Sequence, residues 1–241
     1  MKKSVFFVLI DIFSLFAIMA FANSANEMKI FYEARASQNA TQMFNLIQTL
    51  KNSPSLENDA TSLKILADAC VEYGLWGAKD DEKAKYFDDG IKYADMAIKL
   101  RPKDAYIYFI KGAAIGRLAQ YKGIIQSLFM LRDFDHAVNK AIELDPKLYR
   151  AYVALAMRYR DTPWPFANFG RSEELFLKAI ELDPNYVYAY YELAQLYVKW
   201  GKKDKAREIF VKMSKMTPEK EFYAQELEDI KLAKKWLEEN K

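Results

Sequence analysis

The chain has 241 residues, with 36 basic against 33 acidic side chains, and aromatic residues make up 15% of it. A chain this long and this aromatic can bury a substantial core, so wholesale disorder is excluded. Only eight glycines and seven prolines are present, too few for a turn-rich β fold, and the interspersed charges lack the like-charge block that would mark a nucleic-acid binder.

Residues 1–22 read MKKSVFFVLIDIFSLFAIMAFA. Lys2 and Lys3 form a basic start, an apolar run follows from Val5, and Ala20-Phe21-Ala22 supplies a small-x-small cleavage site. This predicts an export signal, with the mature chain beginning at Asn23. Asp11 interrupts the run, and an uncleaved anchor formed by residues 5–22 is the other reading. An Asp in mid-membrane costs about 2.5–3.5 kcal/mol, which disfavours stable anchoring. Either reading places the bulk of the chain in the periplasm or otherwise outside the cytoplasmic membrane.

The remainder, residues 23–241, reads as a single helical domain. An amphipathic helix is expected from about Met28 to Leu50, ending before Asn52-Ser53-Pro54. A degenerate helical pair follows from about Leu63 to Pro102. Its first helix carries Leu63, Leu66, Ala67 and Cys70, so the single cysteine belongs to a core face.

Three phrases then recur: Ala97-Ile98-Lys99-Leu100-Arg101-Pro102, Ala141-Ile142-Glu143-Leu144-Asp145-Pro146 and Ala179-Ile180-Glu181-Leu182-Asp183-Pro184, with a fainter copy ending at Pro218. The last two of these prolines stand at a period of about 34 residues, while the earlier intervals carry insertions. Each phrase closes a helix on an apolar pair, and the proline cannot continue it. Fixed offsets from each proline repeat as well. Tyr108, Tyr152 and Tyr190 stand six residues on. Leu155-Ala156 and Leu193-Ala194 stand nine and ten on, and Gly112 fills the small position of the first unit. Gly201 marks the tight turn inside the last pair. After Pro218, Glu219 to Asn240 carries apolar residues at helical spacing and a polar remainder, as a terminal solenoid helix requires.

These residues resemble the tetratricopeptide-repeat (TPR) superfamily, clearest over 103–218. The resemblance implies an all-α TPR helical-hairpin solenoid, a right-handed superhelix, with a capping helix over 219–240. The insertions narrow the likeness. A glycine-containing helix runs through Gly116-Arg117-Leu118-Ala119-Gln120 and on to Ser127-Leu128, and the aromatic loop Pro163-Trp164-Pro165-Phe166 to Gly170 comes later. This is similar to the bacterial TatT-type TPR proteins associated with tripartite ATP-independent periplasmic (TRAP) transporters. Mitochondrial regulators of microtubule dynamics carry a related arrangement. The TatT likeness implies self-association, as a trimer, with a periplasmic solute-binding protein as partner and an apolar ligand in an internal channel. A lipid-attachment cysteine is missing near the N-terminus, in departure from that pattern.

In a TPR stack the first helix of each pair lines the concave face. The positions expected there include Tyr106, Phe109, Arg117, Arg150, Met157, Arg160, Tyr188, Tyr191 and Gln195. Rings and guanidinium groups without an acid suit a ligand with an apolar body and a carboxylate, or an extended peptide with acidic ends. The competing reading packs the rings against neighbouring helices. Trp164, Phe166 and Phe169 are candidates for a lid over one end of the groove, on a loop stiffened by Pro163 and Pro165.

No metal or cofactor site is expected. Asp133, Asp135 and His136 fan out around a helix, and Asp88-Asp89-Gly90 lacks the other ligands of a calcium loop. With one histidine no nucleophile–histidine–acid trio can be assembled, and Gly112-x-x-x-Gly116 suits close helix packing better than a phosphate loop. The expected function is therefore non-catalytic binding, of a ligand or of a partner protein as a general envelope adapter.

Overall fold

The computed structural model describes residues 24–240. The export or anchor segment expected over 1–22 lies outside them, and among the described residues no helix is long and apolar enough to cross a membrane.

The first surprise is local. The single helix expected from Met28 to Leu50 is two, α1 (24–37) and α2 (Ala40–Lys51). Gln38 adopts φ +48°, and the Asn39 side chain accepts a hydrogen bond from the Gln42 amide at 3.0 Å. Asn is a strong helix N-cap, and a left-handed residue before it ends α1. Apolar periodicity runs across the break, which is why pattern alone joins the two.

Four hairpins follow: α3 (Ala60–Trp76) with α4 (Asp80–Leu100), α5 (Ala105–Ala119) with α6 (Ile124–Leu144), α7 (Tyr149–Asp161) with α8 (Phe169–Leu182), and α9 (Val187–Lys199) with α10 (Lys203–Met213). A short 3-10 turn, Lys220–Phe222, leads into α11 (Tyr223–Glu239). The first helices touch in series, α3 to α5 to α7 to α9, and form the inner layer of an all-α TPR solenoid.

The repeated phrase has a physical account. Asp145 and Asp183 each accept the amide two residues on, at 2.9 and 3.0 Å, closing the turn that the proline cannot close with an N–H of its own. Tyr108, Tyr152 and Tyr190 donate their hydroxyls to the carbonyls of Pro102, Pro146 and Pro184, at 3.3, 3.0 and 3.1 Å. The six-residue offset is thus a clamp from the next helix onto the turn before it. Gly201 takes φ +76° at the α9–α10 turn.

Residues inserted in the second hairpin lengthen the outer helix. α6 spans 21 residues, against 14 for α8 and 11 for α10. Its fully buried side chains begin at Phe134, and the turns before it are only partly covered.

The two ends of the solenoid meet. The Arg35 side chain of α1 is 2% exposed and lies 4.7 Å from the Phe31 ring and 4.8 Å from the Phe222 ring. It donates to Glu221 in the C-terminal 3-10 turn. α11 packs on both α9 and α10. The C-terminal segment does more than cap, because it folds back to the first helix across the concave side.

Candidate functional site

The inner helices enclose a cavity of about 360 Å³. Its walls come from α3 (Asp68, Val71, Glu72, Leu75), α5 (Phe109, Ala113, Gly116, Arg117), the first half of α6 (Leu128, Met130, Leu131, Phe134) and α7 (Arg150, Val153, Ala154, Met157). Tyr186 and Tyr188 at the start of α9 close one side. Phe222 and Gln225 of the C-terminal segment close another.

Five of the side chains expected on the concave face line this cavity: Phe109, Arg117, Arg150, Met157 and Tyr188. The other four are placed elsewhere. Tyr106 stands behind the wall, receiving a hydrogen bond from Arg150 and donating one to Asp68 Oδ2 at 2.8 Å. Arg160 is buried in a pair with Glu192 and donates to Asp161 at 2.7 and 2.9 Å. Tyr191 and Gln195 lie outside the lining, and the Tyr191 hydroxyl is pushed up first by burial and then by Asp229 of α11. The helix that folds across the concave side has taken their place.

The three lid candidates do not line the cavity either. Trp164 is 89% exposed and Phe166 44%. Phe169 packs edge-on against Trp200, 5.7 Å away. From this loop region the cavity takes Thr162 and Pro163 instead.

The expectation of a cationic groove without acids needs correcting. α3 brings Asp68 and Glu72 to the floor of the cavity, one helical turn apart and both nearly inaccessible. Arg35 stands 3.7 Å from Asp68 and 3.8 Å from Glu72, and Arg150 stands 3.7 Å from Glu72. Two guanidinium groups, Arg35 and Arg150, therefore meet three carboxylates, Asp68, Glu72 and the Glu221 held by Arg35, and the Phe109 and Phe222 rings cover Arg150 at 4.9 and 5.0 Å. Acids inside an apolar helix signal a buried ion network, because a lone buried carboxylate would be too costly. That signal stands in the sequence at Asp68 and Glu72, where apolar spacing alone reads only a core face.

Arg117 is different. It lines the cavity, and its hydrogen-bond partner is the Tyr188 hydroxyl at 3.4 Å. Among the described residues it forms no ion pair. The Tyr188 hydroxyl in turn reaches Met157 Sδ at 3.7 Å, and burial pushes its pKa well above the ordinary phenol range, with Glu192 adding to the shift and Arg117 opposing it. Arg158, the other cationic wall residue, is engaged by Asp135 at 2.7 and 3.0 Å. The cavity thus has an apolar body, a floor of paired charges and one guanidinium, Arg117, that makes no direct ion pair among the described residues while Glu192 and Glu72 favour its charge from further off.

Cys70 is buried, and burial raises its thiol to about 12, so it stays protonated and inert.

Comparison with known proteins adds the following. The family model described as "Regulator of microtubule dynamics protein 1-3" matches residues 25–158, and a tetratricopeptide-repeat model matches 175–208. Mitochondrial import receptor subunit TOM20-1 of Arabidopsis thaliana is 32% identical over 78 residues, which are 32% of this chain and 42% of that protein. The chain therefore spans less than half the length of that relative. A thermophilic TPR protein of Thermus thermophilus, TTC0263, superposes with a TM-score of 0.66 at 17% identity, over 85% of this chain and 98% of that one. MamA from Desulfovibrio magneticus RS-1, from its residue 41 to the end, gives 0.51 at 20% identity, over 78% and 92%. The likeness to these two structures is one of fold.

Proposed function

This chain belongs to the "Regulator of microtubule dynamics protein 1-3" family, and we propose that it is a non-catalytic binding protein whose closed concave face holds a small ligand with an apolar body and a carboxylate, received by Arg117. The observation that carries the reading is Arg117 itself. A guanidinium that lines an apolar cavity, without a carboxylate partner among the described residues, is matched to an anion brought from outside. The size agrees. A volume of about 360 Å³ falls within the roughly 300–1,000 Å³ of small-molecule sites and offers no trough for an extended peptide, since Phe222 and Gln225 occupy that space.

The test compares ligands that differ only at the head group. Arg117→Leu is expected to weaken binding of long-chain carboxylates by roughly 10- to 100-fold, the worth of a hydrogen bond to a charged group. Binding of the matching long-chain alcohol should change little. Equal loss for both, or no loss for either, would sink the reading. In that event the concave face would be left to a protein partner, and the adapter role would take precedence.

Export of the chain rests on residues 1–22 and is checked by sequencing the N-terminus of protein recovered from cells. Association with a TRAP transporter is checked by co-purification with its solute-binding subunit. Trimer formation, also drawn from the TatT likeness, is checked by native mass spectrometry.

A further inference from the structure

The cavity has two polar ends. α5 and α7 run side by side in register: Arg150 donates to the Tyr106 hydroxyl near their starts, and further along Arg117 and Met157 both meet the Tyr188 hydroxyl. Phe109, Arg117 and Gln120 line the wall in that order along α5, and Arg150, Met157 and Asp161 along α7. Gln120 and Asp161 are exposed, so the mouth lies at that end. Arg117 stands near the mouth, eight residues beyond Phe109, which is about 12 Å along the helix. At the opposite end, Tyr186 from the start of α9 and Gln225 from the first turn of α11 line the floor beside Phe222. The Tyr186 ring is wedged between Tyr149 and Phe222, at 4.9 and 5.2 Å, and the residue is 4% exposed. Among the described residues neither the Tyr186 hydroxyl nor the Gln225 side-chain amide makes a hydrogen bond to the protein. Burial holds that hydroxyl protonated, well above the ordinary phenol range, and Arg150 is the charge that opposes the shift most.

Resting on the reading of Arg117 as the carboxylate's partner, we infer that the ligand ends in a neutral hydroxyl received by Tyr186 and Gln225, so that the cavity selects an ω-hydroxy long-chain carboxylate. A phenol hydroxyl and a primary amide can each both donate and accept, which matches the one donor and two lone pairs of an alcohol. A methyl end seated there would leave both groups without a partner in a closed site, and buried polar groups left unpaired are costly. Charge decides against the other polar ends. Arg35 and Arg150 already meet Asp68, Glu72 and Glu221, so a second carboxylate would enter beside an excess of acid. An ammonium would shed its hydration beside two guanidinium groups. The length follows from the helix: an extended chain advances about 1.2 Å per bond, so the 12 Å from Arg117 to the floor takes roughly ten to twelve carbons.

The experiment titrates the full chain with dodecanoate, 12-hydroxydodecanoate and dodecanedioate, which share a chain length and differ at one end. The hydroxy acid is expected to bind roughly tenfold tighter than dodecanoate, the worth of a neutral hydrogen bond in a closed site, and the diacid no tighter than dodecanoate. Tyr186→Phe removes one oxygen that bonds nothing among the described residues, so the melting temperature should hold while the two monoacids come level. Gln225→Met should reduce the same preference by a second route. Arg117→Leu should weaken both monoacids by the same factor and keep the preference between them. Tightest binding of the diacid, or a preference that survives both Tyr186→Phe and Gln225→Met, overturns the inference. Equal affinity of the wild type for the two monoacids overturns it as well. If that equal affinity still falls in Arg117→Leu, the ligand reading stands and only the polar floor is lost. Absence of binding by all three acids removes both.

Discussion

Gly112 is the residue on which the approach of α5 to α6 depends. A Cβ built there would stand 2.4 Å from Cγ2 of Val138, closer than any real contact allows. Gly112→Ala is therefore expected to destabilise the fold by about 1–3 kcal/mol, the usual range for overpacking. Adding Val138→Ala should recover most of the loss, and urea unfolding of the single and double variants measures both. Non-recovery would mean that the Ala137 side chain and the α6 backbone at Val138, not the Val138 side chain, set the need for glycine. The same scale decides the candidate site. Offsets from the prolines are enough to name Phe109, Arg117, Arg150, Met157 and Tyr188. They cannot show that Arg150 is neutralised, because its partner Glu72 belongs to a helix about eighty positions earlier whose repeat phrase is degraded. Arg117 and Arg150 look alike in sequence, and only the third dimension distinguishes a cation in an ion pair from one held by a phenol hydroxyl.

Among the elements, α11 is the one whose role the pattern understated. Its polar outer face reads as a cap, yet its inner face carries acids. Glu226 is fully buried and accepts the Val187 amide at 3.0 Å and the Glu219 amide at 2.7 Å, which ties α11 to the first turn of α9. Burial raises its pKa to about 7, with the Glu219 charge adding and the backbone amides opposing. Burial raises Asp229 to about 8, with Glu192, Glu226 and Glu228 adding, and its Oδ2 lacks a hydrogen-bond partner. Both folded values exceed those of an unfolded carboxylate, so the native state binds these protons more tightly than the unfolded one. The packing of α11 is then favoured in acid and weakens as pH rises from about 4 towards 8. Asp229→Asn keeps the shape and removes the charge. It is expected to raise stability at pH 8 by on the order of 2 kcal/mol, and to flatten the dependence of the melting temperature on pH. A variant that melts with the wild-type slope between pH 5 and 8 would remove Asp229 from this role. Element boundaries elsewhere were largely legible, since the Leu-Asp-Pro turns and their tyrosine clamps are local chemistry. The α1–α2 break was not, because one residue in the left-handed region decides it and the apolar period runs on regardless.

At the scale of the whole molecule, the contact of α1 with the C-terminal turn changes what kind of solenoid this is. In an open stack each repeat feels only its neighbours, so a change at one end decays before reaching the other. Here Arg35 spans the ends. It is enclosed by Phe31, Tyr32 and Phe222, paired with Asp68 and Glu72, and bonded to Glu221. Its Nε and Nη1 make no hydrogen bond, so ring faces and nearby carboxylates hold the charge. Ending the chain after Pro218 would take away Glu221, the Phe222 ring and the Glu226 tie together. The buried Arg35–Asp68–Glu72–Arg150 network would then open to water on one side, and a buried network that loses part of its surroundings is costly. Hydrogen exchange resolved by segment distinguishes the two architectures. In the closed form, truncation at the C-terminus should speed exchange in 24–37 along with α9 and α10, while the α5–α6 hairpin keeps its protection. In an open stack the increase would be confined to α9 and α10. Because Phe222 and Gln225 also wall the cavity, the truncated chain should lose its small ligand under the same conditions in which α1 loosens. Loosening of α1 with ligand binding intact would show that the closure serves stability alone.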